Sequence, residues 1–176
     1  ITYDDKGNKI EEAEYNASDM LVNKSIWKNS DGKQSEESYY DSEGALLGKT
    51  ITKFDDLGRT SEVYQYFANG KLDVKKVYTY NDAGKLSEVT YIDIEEKMIE
   101  KTVYRFDEKY AVTEEQTYNE SNKLSQRIIY KYDDNGNVTR KTTYAVSEKF
   151  GGTVNELIGI NEFTYVYDTS STSNAK

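Results

Sequence analysis

The chain has no cysteine, no histidine and no proline in 176 residues. Without cysteine there are no disulfides and no thiol nucleophile. Without histidine as well, the usual zinc ligands and the usual general base near neutral pH are gone. Cysteine avoidance also fits an exported bacterial protein. The lack of proline leaves nothing to interrupt a backbone ladder. No apolar run approaches the ~20 residues that a membrane helix needs. Ile1 begins in mid-pattern with neither a basic nor an apolar leader region, so any signal or lipid anchor is expected upstream of it.

Charge narrows the partners. The net charge is −9, and the acidic groups are interleaved with 23 lysines and arginines, so no basic patch exists to follow a phosphate backbone. No nucleic-acid partner is expected. Mean hydropathy is −0.88, yet 13% of the residues are aromatic, and they recur at fixed intervals. That is a folded chain with a thin core, not a solvated tail.

What is present is a repeat. Gly32, Gly58, Gly84, Tyr110 and Gly136 are spaced by 26, as are Phe54, Tyr80, Phe106 and Tyr132. Tyr40, Tyr66, Ile92, Tyr118 and Tyr144 keep the same step, and so do Met20, Leu46, Leu72, Met98 and Leu124. Each unit contains two similar halves, each a strand plus a turn. In "DDLG", "NDAG" and "DDNG" an Asp or Asn stands where a tight turn favours it, with Gly where positive φ is needed. Between turns lie runs rich in Val, Ile, Thr and Tyr, the composition of strands.

The fold expected is all-β: an antiparallel meander of about thirteen strands in an open, strongly twisted or coiled single sheet, with barrel closure as the alternative. At ~4.8 Å per strand such a sheet is ~60 Å wide, a width that makes sheets twist or close. Pairing across the turns sets Tyr80 opposite Leu86 and Tyr66 opposite Leu72. Every such pair joins two even-numbered residues, so all even-numbered residues from Thr60 to Tyr144 are expected to share one face, with Glu62 opposite Lys76. Tyr110 and Glu96 fall where the repeat elsewhere has glycine, and changed loops are expected there. One domain is expected over residues 1–168, with an irregular insertion at 147–161 that serves as a loop or as a cap using Phe150, Leu157 and Ile158. Residues 169–176 read as a polar tail.

The motif of an aromatic, any residue, Tyr or Phe, Asp or Asn, two residues and Gly appears in "YTYNDAG" and "YKYDDNG", and more simply in "YDDKG" and "YDSEG". It resembles the YD or Rhs repeats of bacterial surface and secreted proteins over roughly residues 1–146. The resemblance implies an extended β-rich array on or outside the bacterial envelope. It provides no catalytic residue.

Three sets of residues are candidates for chemistry. The pairs Asp4-Asp5, Asp55-Asp56 and Asp133-Asp134 could hold calcium, but adjacent Asp in a four-residue turn more simply satisfies turn amides. No metal site and no cofactor are expected. Glu residues on the even face could form the carboxylate pair of a glycosidase, but an open sheet offers little burial to raise a pKa. The third set is Tyr64, Tyr78, Tyr104 and Tyr130 with Glu88 and Glu114: the unbroken register puts Tyr78 opposite Glu88 and Tyr104 opposite Glu114, flat rings beside acceptors, suited to a sugar. The bland alternative is that these rings only tie strands together. The functional expectation is a non-enzymatic extracytoplasmic binding or scaffold module, with a polysaccharide, a peptide or another envelope protein as partner. The alternatives are a fragment of an Rhs-like toxin-delivery or contact-dependent system and, behind it, a glycan-acting enzyme.

Overall fold

The computed structural model describes residues 1–30, 33–149 and 151–165; Gly32, Phe150 and the 169–176 tail of the sequence reading lie outside them. The described residues form thirteen strands and no helix. In chain order they are β1 (Thr2–Tyr3), β2 (Lys9–Tyr15), β3 (Leu21–Ser30), β4 (Lys33–Tyr40), β5 (Leu46–Phe54), β6 (Thr60–Phe67), β7 (Leu72–Tyr80), β8 (Leu86–Ile92), β9 (Met98–Phe106), β10 (Val112–Asn119), β11 (Leu124–Tyr132), β12 (Val138–Lys149) and β13 (Gly152–Glu162). They follow one another in a single antiparallel sheet that does not close into a barrel. The chain divides into two compact units, Ile1–Thr102 with Asn119–Asn122, and Val103–Tyr118 with Lys123–Lys176.

The turns form for local reasons. In the turn after β7, Asn81 N–H donates to Lys85 O at 2.9 Å and Gly84 N–H donates to Asn81 O at 2.8 Å, with Gly84 at φ +74°. The side chain of the first turn residue then takes up spare amides. Asp55 Oδ1 accepts from Leu57 N at 3.0 Å and from Arg59 N at 2.8 Å. Asp4 and Asp41 do the same in their turns. The acidic residues at these positions therefore build turns.

Glu96 and Tyr110 do not change their loops. Glu96 has φ +60° and Tyr110 φ +62°, and each donates its N–H to the residue three before, Asp93 or Asp107, as Gly84 does to Asn81. The expectation of altered loops is corrected, and the reason is visible. Asp93 Oδ1 accepts from Glu95 N at 2.8 Å and Lys97 N at 2.9 Å, and Asp107 Oδ1 accepts from Lys109 N and Ala111 N, both at 2.9 Å. These bonds outweigh a left-handed residue that costs ~1–2 kcal/mol.

The register needs a larger correction. Tyr80 does face Leu86, and Tyr66 faces Leu72. One step further in, Thr79 faces Glu88, so Ser87 is an extra residue, a bulge. The same shift occurs beside Tyr15, Tyr40, Phe54, Tyr66, Tyr118 and Tyr132. In these hairpins the bulge inverts the parity from one strand to the next. Even residues of β6 and β8 therefore share a face with odd residues of β7. Glu62 lies opposite Val77, not Lys76, and Tyr78 lies opposite Val89, not Glu88.

The 147–161 segment is not an irregular insertion. Residues 147–149 and 152–161 are paired strand: Ser147 faces Val154, Tyr144 faces Leu157 and Thr142 faces Ile160, with Ile158 as the bulged residue. Leu157 and Ile158 are 52% and 59% exposed, so they cover no edge. β13 is itself the edge of the described sheet.

The core is as thin as the composition suggests. Among the described residues, only Trp27, Val89 and Val146 are buried apolar residues. Strands are tied instead by lysine and arginine over aromatic rings, such as Lys9 over Trp27 at 3.9 Å and Arg59 over Tyr80 at 4.2 Å. Rim tyrosines add hydroxyl bonds to backbone: Tyr80 to Thr60 O at 2.8 Å and Tyr132 to Val112 O at 2.6 Å.

Candidate functional site

The six residues singled out in the sequence do not form one surface. In the Ile1–Thr102 unit, the bulges put Tyr64 and Glu88 on one face and Tyr78 on the other. In the second unit, Tyr130 donates to Glu115 Oε1 at 2.7 Å, while Glu114 pairs through Oε1 with Arg127 Nε at 2.6 Å on the opposite face. Tyr104 is half-buried, and its phenol acts on that of Tyr130.

Most of these side chains are already occupied. Glu62 accepts from Tyr64 OH at 2.8 Å and pairs with Lys53 at 3.0 Å and Lys75 at 2.9 Å. The two ammonium groups also lie over the Tyr64 ring, at 4.6 and 5.4 Å. Lys75 first, then Lys53, holds the Glu62 carboxyl down at about 2. Tyr64 is thus a strut inside an ion-pair cluster. Glu88 accepts from Thr90 Oγ1 at 3.0 Å. Burial pushes the Glu114 carboxyl up, but Arg127 and Gln116 together bring it below the ordinary range. Burial and Glu115 push the Tyr130 hydroxyl far up.

Tyr78 differs. Its ring is half-buried on a face with Val89, which is 7% exposed, and with Lys76 and Tyr91, which stand opposite each other on β7 and β8. Burial, followed by the neighbouring phenols of Tyr91 and Tyr80, raises its pKa, so it stays a neutral donor. Among the described residues, nothing accepts its hydroxyl proton. Lys76 Nζ lies over the Tyr91 ring at 5.2 Å and has no carboxylate partner among the described residues. The face therefore presents two phenol rings at adjacent register positions, an ammonium group, and the polar side chains of Ser61 and Gln65 beside them. Such a group can stack on a sugar ring, donate to its hydroxyls and attract an acidic substituent.

Sequence reasoning missed Tyr91, because an unbroken even register puts it on the wrong face, and it spent Lys76 on Glu62, which lies on the opposite face. One extra residue in the hairpin moves every odd residue of β8 beside the even residues of β7, and no residue type marks it.

No protein-family model and no curated protein matches the sequence. Among solved structures, the chain is similar to the Tc holotoxin pore of Photorhabdus luminescens, with TM-score 0.43 and 13% identity over 82% of this chain and 10% of that one. It is also similar to a porin-like protein of Bacteroides uniformis, with TM-score 0.40 and 10% identity over 87% of this chain and 88% of that one. A protein with unknown function from Bacteroides fragilis has TM-score 0.35 and 14% identity, covering 79% of this chain and 90% of its own. The chain spans about a tenth of the toxin component's length. At these scores the likenesses carry no inference about function.

Proposed function

We propose that the chain is a non-enzymatic, extracytoplasmic binding module, and that the Tyr78 face of the Ile1–Thr102 unit takes an extended polysaccharide. The observation that carries this reading is the unspent chemistry around Tyr78. Its hydroxyl and the Lys76 ammonium have no partner of opposite hydrogen-bonding or charge character within the described chain, whereas Tyr64 and Tyr130 are committed to carboxylates. The extracytoplasmic location rests on the resemblance of the turn motif to YD repeats.

The carboxylates support binding over catalysis. Glu62 and Glu114 are both shifted down, the opposite of what a general acid for glycoside cleavage requires. Recognition would use stacking on Tyr78 and Tyr91, with the Lys76 ammonium drawn to a uronic acid.

A polysaccharide array run with native protein and with Tyr78→Ala tests this. Native protein is expected to hold acidic polysaccharides, and the variant to lose them while keeping its strand circular dichroism. Equal binding by both would refute the site. Retention of peptides alone would make the ligand a protein segment.

A further inference from the structure

β13 is unlike the inner strands. Every residue of β13 except Gly159 is exposed, while most residues of β5 to β8 are half-buried. Large apolar side chains crowd it and the three residues beyond: Leu157 is 52% exposed, Ile160 43%, Phe163 45% and Tyr165 43%. The strand runs eleven residues without proline or lysine, two of the devices that blunt a sheet edge, and its bulge at Ile158 leaves the run from Gly159 to Glu162 in regular register. Only its inner side has a partner, β12, among the described residues.

The ladder shows which backbone groups are open. Phe163 N–H donates to Thr139 O at 2.9 Å, and the register continues as Lys141 opposite Asn161. By the alternation of an antiparallel ladder, the N–H and C=O of Ile160 and Glu162 point away from β12.

Charge indicates the occupant. Across the hairpins, ion pairs join neighbouring strands of opposite sign: Lys28 of β3 to Glu36 of β4, Lys53 of β5 to Glu62 of β6, Glu62 to Lys75 of β7, and Glu114 of β10 to Arg127 of β11. β13 carries Glu156 and Glu162 and no basic residue, and Arg140 of β12 meets Glu162 only at 3.9 Å. An acidic, apolar edge fits a strand that is basic and apolar.

We propose that the outer edge of β13 captures an extended peptide in which lysine or arginine alternates with apolar or aromatic residues, adding it to the sheet as a further strand. Backbone bonds at Ile160 and Glu162 supply register, Leu157 and Ile160, which share the face of Tyr144 and Thr142, supply apolar contact, and Glu156 and Glu162 select the charge. This surface is separate from the Tyr78 face, and Tyr78→Ala leaves it intact, so each reading can fail without the other.

The test is fluorescence anisotropy of the full chain with a labelled lysine–valine alternating peptide of about nine residues, a long strand's length. A glutamate–valine peptide is the control. Native protein is expected to prefer the basic peptide at least ~10-fold, as expected for a few charge-assisted contacts. Ile160→Pro removes an outward N–H without cutting a bond to β12, and is expected to weaken binding ~10-fold or more. Amide exchange of β12 checks that this variant remains folded. Glu156→Lys with Glu162→Lys keeps the backbone and is expected to reverse the preference. No binding by native protein, no charge preference, or undiminished binding in both variants would overturn the proposal. Concentration-dependent self-association that Ile160→Pro abolishes would also overturn it, making a second copy the occupant.

Discussion

The two faces of the Ile1–Thr102 unit are held by different forces. The face with Tyr64 is a lattice of opposite charges, in which Lys53, Glu62 and Lys75 meet at 2.9–3.0 Å around a tyrosine. The face with Tyr78 has no ion pair between β5 and β8, yet both buried apolar residues of the unit, Trp27 and Val89, lie on it. One face is stabilised by ion pairs that salt can screen, the other mainly by burial that it cannot, with cations over the Trp27 and Tyr91 rings adding a smaller electrostatic part. A sheet with so little apolar material uses both, and this leaves one face with its polar groups consumed and the other with some to spare.

The comparison can be broken most directly at Trp27. Trp27→Ala removes the largest of the buried apolar side chains and the ring beneath Lys9, and is expected to cost about 3 kcal/mol or more, most of it retained at high salt, in urea unfolding. A loss that mostly vanishes with added salt would mean that electrostatics hold this face too.

Glu62→Gln tests the other face. The folded pKa of about 2 lies below the ordinary value of 4.5, so the stabilisation is present above pH ~4.5 and fades as pH falls toward 2. Discounted for solvent screening, it should amount to about 1 kcal/mol at neutral pH and decline in ~1 M salt. Unfolding curves for native protein and variant should converge on acidification. Parallel curves across that range would remove Glu62 from the account.

Smaller effects separate the two tyrosines. Tyr64→Phe deletes a hydroxyl that donates to Glu62 at 2.8 Å and should cost a few tenths to about 1 kcal/mol by thermal unfolding. Tyr78→Phe deletes a hydroxyl with no partner in the described chain, and should change stability by less than about 0.5 kcal/mol while weakening polysaccharide binding. If the two substitutions cost the same, Tyr78 has a structural bond and the contrast between the faces fails.

Hairpin positions were legible in the sequence because their cause is local. An Asp or Asn whose side chain accepts two amides, with a left-handed residue three places on, makes a turn whatever lies around it. Even Glu96 and Tyr110, which break the glycine pattern, turn in the same way because Asp93 and Asp107 supply the bonds. The turn after β6 uses a different side chain, Asn69, which accepts from Lys71 N at 2.9 Å. The site was less legible. Tyr78 was marked by its place in the repeat, but Tyr64, Glu88, Glu114 and Tyr130 carried the same mark and turned out to be spent on neighbours or placed on other faces.

The sequence by itself determined that the chain is an antiparallel meander, how many strands it has, where it turns, and that its core is thin, since each follows from residues within one hairpin. Which side chains share a face was decided only in the tertiary structure. A bulge such as the one at Ser87 needs no special residue, being placed by how two strands meet beyond the turn. One such residue is enough to move Tyr78 away from Glu88 and beside Tyr91, because side chains alternate with a period of two.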